Sequence, residues 1–356
     1  MKSNPIDHFL NSRVSWLADT EANDIIISSR IRLARNLTGV PFPVAADNSQ
    51  LLTVCDAVKA ATEKLQCPEK APLIFVPQTM EDVDRQVLLE RRLASSDFIE
   101  REIGTILLVS RDESCSIMVN EEDHLRMQVM CPGLNLEKAW SRLSGIDDQL
   151  KQELNFAWDD RLGFLTCCPT NVGTGLRVSV MLHLPALVLA NRIAAAVQGI
   201  GRLSFEARGF FGEGSDNMGN LFQISNRSTL GETEEQIISQ LSAVVKQLIN
   251  HEKHFRMHLL EQDRQLLADF VGRAYGVLRY AHVLTSGEAL NSLSALRLGV
   301  ALDMFTALEM HTVNELLLII HPAHLQKFEG RVLDDRERNI LRAELVREKL
   351  KNIEKA

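Results

Sequence analysis

Aromatic residues are scarce in this 356-residue chain, at 5% with only two tyrosines, and no run of about 20 uncharged apolar residues occurs along it. The second absence argues against a membrane-spanning helix. The opening MKSNPIDHFLNSRVSW lacks the uninterrupted apolar core of a signal peptide, so the expected setting is the cytoplasm. Six cysteines, Cys55, Cys67, Cys115, Cys131, Cys167 and Cys168, never take the paired C-x-x-C spacing of a structural zinc or redox site, and they read as reduced thiols. Basic excess is missing as well: a net charge of −8 argues against a general nucleic-acid surface while leaving room for a local basic cleft. There is no GxxxxGK[ST] phosphate loop and no HRD catalytic loop, which removes the common phosphotransfer scaffolds. Repeats and low-complexity segments are absent too.

What remains is ordinary globular material, 45% apolar and 24% charged. Its length exceeds the roughly 100–200 residues of a typical domain, so two domains are expected. Asp24-Ile25-Ile26-Ile27 leads into SSRIRLARN, a compact apolar run that turns into serines and three arginines, as a strand delivering cations to a cleft would. Helical spacing runs from Gln50 to Leu65 and from Glu81 to Leu93, with a short strand at Leu73 to Val76. Thr105–Ser110 and Cys115–Asn120 read as a hairpin across Arg111-Asp112-Glu113, the second strand running into Glu121-Glu122-Asp123-His124. From Leu176 to Leu184 alternation is strict, with apolar residues on one face and Arg177, Ser179, Met181 and His183 on the other. Pro185 opens a helix expected to run through Val197 and to end at Gly199 and Gly201. Strands follow at Leu203–Ala207 and Leu221–Ser225, flanking the glycine-rich RGFFGEGSDNMGN, and a long helix runs from Thr233 to about His254. Beyond it the pattern is helical throughout. The divisions expected are an N-terminal segment 1–23, a mixed α+β domain 24–254 and a helical domain 255–356.

Arginines end strands or turns at Arg30 and Arg32, Arg126, Arg177 and Arg208. Guanidinium forks match phosphate oxygens bidentately, so several converging on one cleft would serve a nucleotide triphosphate without a phosphate loop. Taken singly, each reads better as a surface ion pair, Arg177 least so because its neighbours in the strand alternate cleanly. The acidic elements are Glu121-Glu122-Asp123 and Glu213-Gly214-Ser215-Asp216. A guanidinium holds its proton to a pKa above about 12, so making it a nucleophile needs carboxylates to align it and accept a proton. Taken singly, each acidic loop also reads as a solvated turn. Glycines at 209, 212, 214 and 219 suit close approach of backbone to a ligand. Cys168 precedes Pro169-Thr170-Asn171-Val172-Gly173-Thr174-Gly175, where a thiolate would favour a cationic substrate and plain packing is the alternative. His124 and His183 have no second ligand at i+3 or i+4 and read as structural.

Together SSRIRLARN, NEEDHLRMQ, LTCCPTNVGTGLRVSV and RGFFGEGSDNMGNLFQISN resemble the phosphagen (guanidino) kinases over about residues 24 to 254. The bacterial protein-arginine kinases are the nearer likeness, because the extra helical mass follows the catalytic region instead of preceding it. The resemblance implies an α+β catalytic domain with a largely antiparallel sheet flanked by helices, and an ATP-dependent transfer to protein arginines. It assigns Glu122 as a catalytic carboxylate, Asp216 as the second in place of the usual glutamate, and Cys168 as the active-site cysteine. ATP would lie against Ser28, Ser29, Arg30, Ile31, Arg32, Arg126 and Arg177, the backbone of Val178, Ser179, Val180 and Met181, and Arg208, Gly209, Phe210, Phe211, Gly212 and Glu213. Magnesium would bridge the phosphates with no direct protein ligand. Phe211 replaces a phosphate-binding arginine of the small-molecule relatives, and Arg92 stands where a histidine often lies beside adenine. Arg338, Asn339, Arg342 and Ala343 stand in place of RDxxRA, an activating phosphoarginine pocket, with Asn339 unable to pair ionically as aspartate does. The implied partners are arginine-bearing proteins, a Clp-type chaperone and protease, a zinc-binding activator protein and a second copy of the chain in a homodimer, with no membrane and no nucleic acid. A small-molecule guanidino kinase and a catalytically weak phosphoarginine-binding adaptor remain the alternatives.

Overall fold

The computed structural model describes residues 5–10, 12–18, 24–65, 72–101, 103–209 and 218–351. In chain order the elements are α1 (Pro5–Leu10), β1 (Ile26–Arg35), α2 (Asn48–Glu63), β2 (Leu73–Phe75), α3 (Asp82–Glu90), α4 (Ser96–Ile99), β3 (Ile106–Val109), β4 (Cys115–Val119), β5 (Leu125–Pro132), α5 (Leu136–Glu153), β6 (Trp158–Asp159), β7 (Gly163–Phe164) and β8 (Leu176–His183). There follow α6 (Pro185–Leu189), α7 (Ile193–Arg202), β9 (Phe205–Gly209), β10 (Leu221–Asn226), α8 (Glu234–Gln262), α9 (Arg264–Tyr280), α10 (Ser286–Ala301), α11 (Met310–Ile319), α12 (Pro322–Glu329) and α13 (Asp335–Lys349). Eight strands form one sheet in the order β2-β3-β4-β5-β1-β8-β10-β9, while β6 and β7 make a separate hairpin. From β2 through β5 to β1 the pairing is antiparallel. This is the α+β architecture expected.

The chain divides into two compact units, one of Met1–Trp16, Ser28–Ser179 and Ser225–Ser242, the other of Leu17–Ile27, Val180–Ile224 and Ala243–Ala356. In the first, period two decides what each strand face does. Ile31 and Leu33 of β1 lie opposite Val129 and Met127 of β5, and all four are fully buried. Helix α5 packs on β5 and against α2, burying Ala139, Leu143 and Leu150, each large side chain of this kind contributing about 1.5–3 kcal/mol. Asp47 caps α2 by accepting from the Gln50 amide at 2.9 Å, and Gln50 returns the bond. In the second unit, helices α8 to α13 close around a core that includes Leu267, Val271, Leu293, Leu296, Val313 and Val346.

Three local expectations are corrected. Strand β8 was expected to show one apolar and one polar face, but Ser179, Met181 and His183 are buried as well. The strand is central in the sheet, and its polar side chains find internal partners. The helix opened by Pro185 breaks at Asn191, which takes a left-handed φ of 55°, and Gly199 and Gly201 lie inside α7 instead of ending it. Helix α8 runs past His254 to Gln262, and Glu252 and Arg256, paired at 2.9 Å one turn apart, carry it across the composition change. Cys55, Cys115, Cys131, Cys167 and Cys168 are free thiols.

Candidate active site

The face of β1 opposite its apolar one carries Arg30 and Arg32, and register puts Met130 and Gln128 of β5 directly across from them, with Arg126 across from Ala34. Three cations therefore share one sheet face through period two alone. On β4 the residue opposite Gln128 is Ser116. Gln128 donates to Ser116 Oγ at 2.9 Å and to the Arg92 carbonyl at 2.7 Å, and Ser116 donates to the Leu93 carbonyl at 2.9 Å. These bonds pin the turn at Arg92, whose φ of 60° is rare for a side chain of this size. Strand β8 adds Arg177, which donates to Ser225 Oγ at 3.3 Å, and Ser179, which accepts from Arg30 Nε at 3.4 Å. Asn226 does a strand's work for β8, accepting from the Val178 amide at 2.8 Å and donating to the Leu176 carbonyl at 3.0 Å.

Electrostatics sets the character of this face. Although the arginine side chains keep some exposure, their charged ends are desolvated, and burial followed by Arg92, Arg126 and Arg177 lowers Arg30 to about 9. Burial lowers Arg92 to about 10 and takes Arg32 well below its ordinary value, with Arg30, Arg126 and Arg177 adding to the effect. Arg32 Nε is a buried donor with no acceptor. A donor of this kind inside a cluster of like charges fits a polyanion with several oxygens, as a nucleotide's phosphates supply. Arg35, the third arginine of the segment, faces the other way. It pairs with Asp147 at 2.7 Å and lies 3.5 Å from the centre of the Phe164 ring, a structural role.

Beside the cations, the turn between β4 and β5 holds three carboxylates in three environments. Glu121 is 1% exposed, pairs with Arg126 and accepts from Ser95 Oγ at 2.6 Å; despite its burial, Arg126 holds it below the usual carboxylate range. Asp123 Oδ1 accepts from Asn36 Nδ2 at 2.6 Å and from the Cys167 amide at 2.7 Å, yet burial leaves it raised. Glu122 stays partly exposed, and burial, Asp123 and Glu121 push it up, with Arg126 opposing. Of the three it is the one both accessible and tuned toward proton acceptance.

The Asp123 to Cys167 bond ties this turn to the segment bearing Cys168. Cys168 stands before a single turn of 3-10 helix, Pro169–Asn171, and its sulfur lies 3.0 Å from Thr170 Oγ1. Burial and Asp123 push the neighbouring Cys167 thiol up to about 12. Thr229 donates to the Val172 carbonyl at 2.6 Å and fixes the segment's far side. Ser28 and Ser29 are buried at the start of β1, Ser29 donating to the Gly133 carbonyl at 2.6 Å, and Ile31 lies on the apolar face. The sequence motifs therefore bring together Arg30, Arg32, Arg92, Arg126 and Arg177, with Glu122 in the turn beside them. Val180 and Met181 continue β8 in the other compact unit, where Arg208 of β9 pairs with Glu206 and Gly209 ends the strand. Phe210, Phe211, Gly212, Glu213 and Asp216 lie outside the described residues.

His124 and His183 are structural, as expected. His124 Nδ1 accepts from the Leu37 amide at 3.0 Å, its other nitrogen lies 3.1 Å from the Pro41 carbonyl, and burial lowers it. Among the described residues no group of His, Cys, Asp or Glu is placed to hold a metal ion. In the C-terminal segment Arg342 is 1% exposed and donates to the carbonyls of Ile320 at 2.8 Å and Leu284 at 2.7 Å and to Asn339 Oδ1 at 2.6 Å. Arg338 bonds the Leu333 carbonyl and Asp335, and Ala343 is buried. Residues the motifs did not single out are Asn36, Ser95, Gln128 and Asn226. Asn36, Gln128 and Asn226 close three of the quoted segments, but a polar residue in or beside a strand is too common a signal to give any of the four a role.

Residues 53–255 match the family model of the ATP:guanido phosphotransferase C-terminal catalytic domain, and residues 264–356 match that of the protein-arginine kinase McsB C-terminal domain. Protein-arginine kinase of Halothermothrix orenii is 44% identical over 96% of this chain and 98% of its own length, and that of Symbiobacterium thermophilum is 44% identical over 94% and 96%. Among solved structures, the duplicated taurocyamine kinase of Schistosoma mansoni superposes with a TM-score of 0.59 at 27% identity, over 69% of this chain and 35% of that one. Lombricine kinase, at 24% identity and a TM-score of 0.58 over 68% of this chain and 70% of that one, shares the fold. No helix among the described residues is long and apolar enough to cross a membrane. A desolvated cationic face, a partly exposed carboxylate held above its ordinary range and similarity over nearly the whole chain agree, and the chain belongs to the protein-arginine kinase family of ATP:guanido phosphotransferases.

Proposed function

We infer that the protein transfers the γ-phosphoryl group of ATP to a guanidinium nitrogen of arginine residues in proteins. The observation that carries this reading is the desolvated arginine face, with Arg32 Nε lacking an acceptor and Glu122 in the adjoining turn. Arg30, Arg32, Arg126 and Arg177 would bind the phosphate oxygens, with Arg208 contributing from β9 and the backbone from Val178 to Met181 running alongside. Arg92, whose charge helps lower Arg30, would line the nucleotide site with them. Magnesium, carried on the nucleotide, would screen the phosphates' mutual repulsion.

Glu122 aligns the planar guanidinium and takes the proton it loses as the nitrogen bonds to the γ-phosphorus and the bond to ADP breaks. Asp216 would supply the second carboxylate. Cys168 would favour a cationic acceptor beside Glu122. Division into a catalytic domain over 24–254 and a helical domain over 255–356, joined through α8, suits these roles. Arg342, with three bonds to internal acceptors, has less to offer an incoming phosphoarginine, so activation through the 338–343 segment would be weak.

The family reading further supplies a Clp-type chaperone and protease for the marked proteins, a zinc-binding activator and a cytoplasmic setting. Homodimerisation is supported by α9, where Leu266, Val277 and Tyr280 are exposed at 58%, 42% and 71% on one helical stripe. Incubation with ATP and magnesium and either an unfolded arginine-rich protein or free arginine tests the function. Labelling of the protein is expected; labelling of free arginine alone would assign a small-molecule kinase instead.

A further inference from the structure

Helix α10 carries Asn291, Ser294 and Arg297 on one face, at helical spacing of three. Together they reach the segments around Asp24, His183 and Gly219. Asn291 Oδ1 accepts from the Gly219 amide at 2.9 Å, and Ser294 Oγ accepts from Asn220 Nδ2 at 2.9 Å and lies 2.8 Å from His183 Nε2. Arg297 donates through Nη1 to His183 Nδ1 at 3.0 Å and to the Asp24 carbonyl at 2.8 Å, while its Nε donates to Asn314 at 3.0 Å. His183, which must accept at Nδ1, donates at Nε2 and is therefore neutral. His183, Ser294 and Arg297 are 0%, 1% and 0% exposed, so water has no ready access to the bonds His183 makes with the other two.

The two strand ends they hold are the relevant ones. Asp24 lies two residues before β1, which carries Arg30 and Arg32, and His183 is the last residue of β8, which carries Arg177. The His183 amide also donates to the Ile25 carbonyl at 2.8 Å, so Arg297 spans a point where the two strand ends are already bonded. A second guanidinium, Arg256, grips Asp24 through its carboxylate at 3.1 Å and its carbonyl at 3.3 Å. The far end of α10 is fixed by a capping box between Thr285 and Glu288 and by the bond of Leu284 to Arg342. Strands transmit a shift at one end along their length, and a displacement of about 1 Å can cost two orders of magnitude in rate.

Resting on the kinase reading, we propose that Arg297 and Ser294 are positioning residues for phosphoryl transfer: from the C-terminal helices they lock β1 to β8 and thereby set the spacing of the phosphate-binding arginines. Satisfying buried polar groups alone would make them stabilising but kinetically silent. The test compares wild type with Arg297→Lys, which keeps the charge but loses the fork, with Ser294→Ala, which removes one hydroxyl, and with Val313→Ala, which opens the same core without removing any bond of the network. Melting temperature, kcat and KM for ATP and for protein are measured well below the melting range. For Arg297→Lys and Ser294→Ala, kcat/KM for ATP is expected to fall roughly 10–100-fold with the protein KM within about twofold of wild type. Val313→Ala should melt earlier yet keep its kcat/KM for ATP. Network variants matching wild type, or losing no more kcat/KM for ATP than Val313→Ala, would overturn the inference, and if Arg297→Lys does not fold, Ser294→Ala decides alone. Wild-type protein that labels no protein arginine would overturn the kinase reading first, a separate result.

Discussion

At the scale of single residues, three consecutive acids with one charge type occupy three environments, and the difference decides which can take a proton. Asp123 Oδ1 receives both the Asn36 and the Cys167 bonds, so Asp123→Asn keeps these bonds while removing a charge that raises Glu122. Losing that charge lowers the Glu122 pKa, so the acid limb of the kcat/KM profile is expected to move to lower pH; an unmoved limb would exclude Glu122 as the titrating base. The arginine face predicts a trade between stability and binding. Arg32→Met removes a desolvated cation from among like charges, so the nucleotide-free melting temperature should stay level or rise. The same variant should lose the stabilisation by ATP that wild type shows, roughly 2.7 kcal/mol at a hundredfold excess over Kd. Arg30 and Arg32 were legible in the sequence because period two puts them on one face. Arg92 joined them only through a turn held by Gln128, a long-range contact that no local pattern announces.

At the scale of elements, the junction before β8 is closely packed. Gly175 takes a φ of 66°, its carbonyl accepts from the Ala34 amide at 2.9 Å, and an added Cβ would lie 2.6 Å from the Ala34 oxygen and from Arg35 Nη1. Gly175→Ala is therefore expected to cost at least about 2 kcal/mol in chemical denaturation, because strain and clash act together. A loss below half that would show the junction able to relax. Strand β8 itself was legible as a strand, yet not as one buried on both faces, since the cover over Ser179 and His183 comes from distant residues. The break at Asn191 was hidden for a related reason: the apolar spacing continues through α6 and α7, and only backbone conformation separates them.

At the scale of the whole molecule, hydrophobic patterning pointed to a mixed α+β chain and the ordered motifs pointed to guanidino phosphotransfer, whereas the grouping of 17–27 and 180–224 with the C-terminal helices had no local signature. Compact units are made by contacts between distant segments, and these leave no periodicity to read. The exposed stripe of α9 carries its own prediction: Val277→Glu should shift a homodimer toward monomer in sedimentation, and an unchanged dimer would place the interface elsewhere. The central claim concerns the bond that is made. Mass spectrometry of an unfolded protein incubated with ATP and magnesium, under conditions that preserve acid-labile phosphoramidates, should find phosphate on arginine nitrogens with wild-type enzyme and almost none with Glu122→Gln. Phosphate confined to hydroxyl side chains, or full arginine phosphorylation by Glu122→Gln, would contradict it.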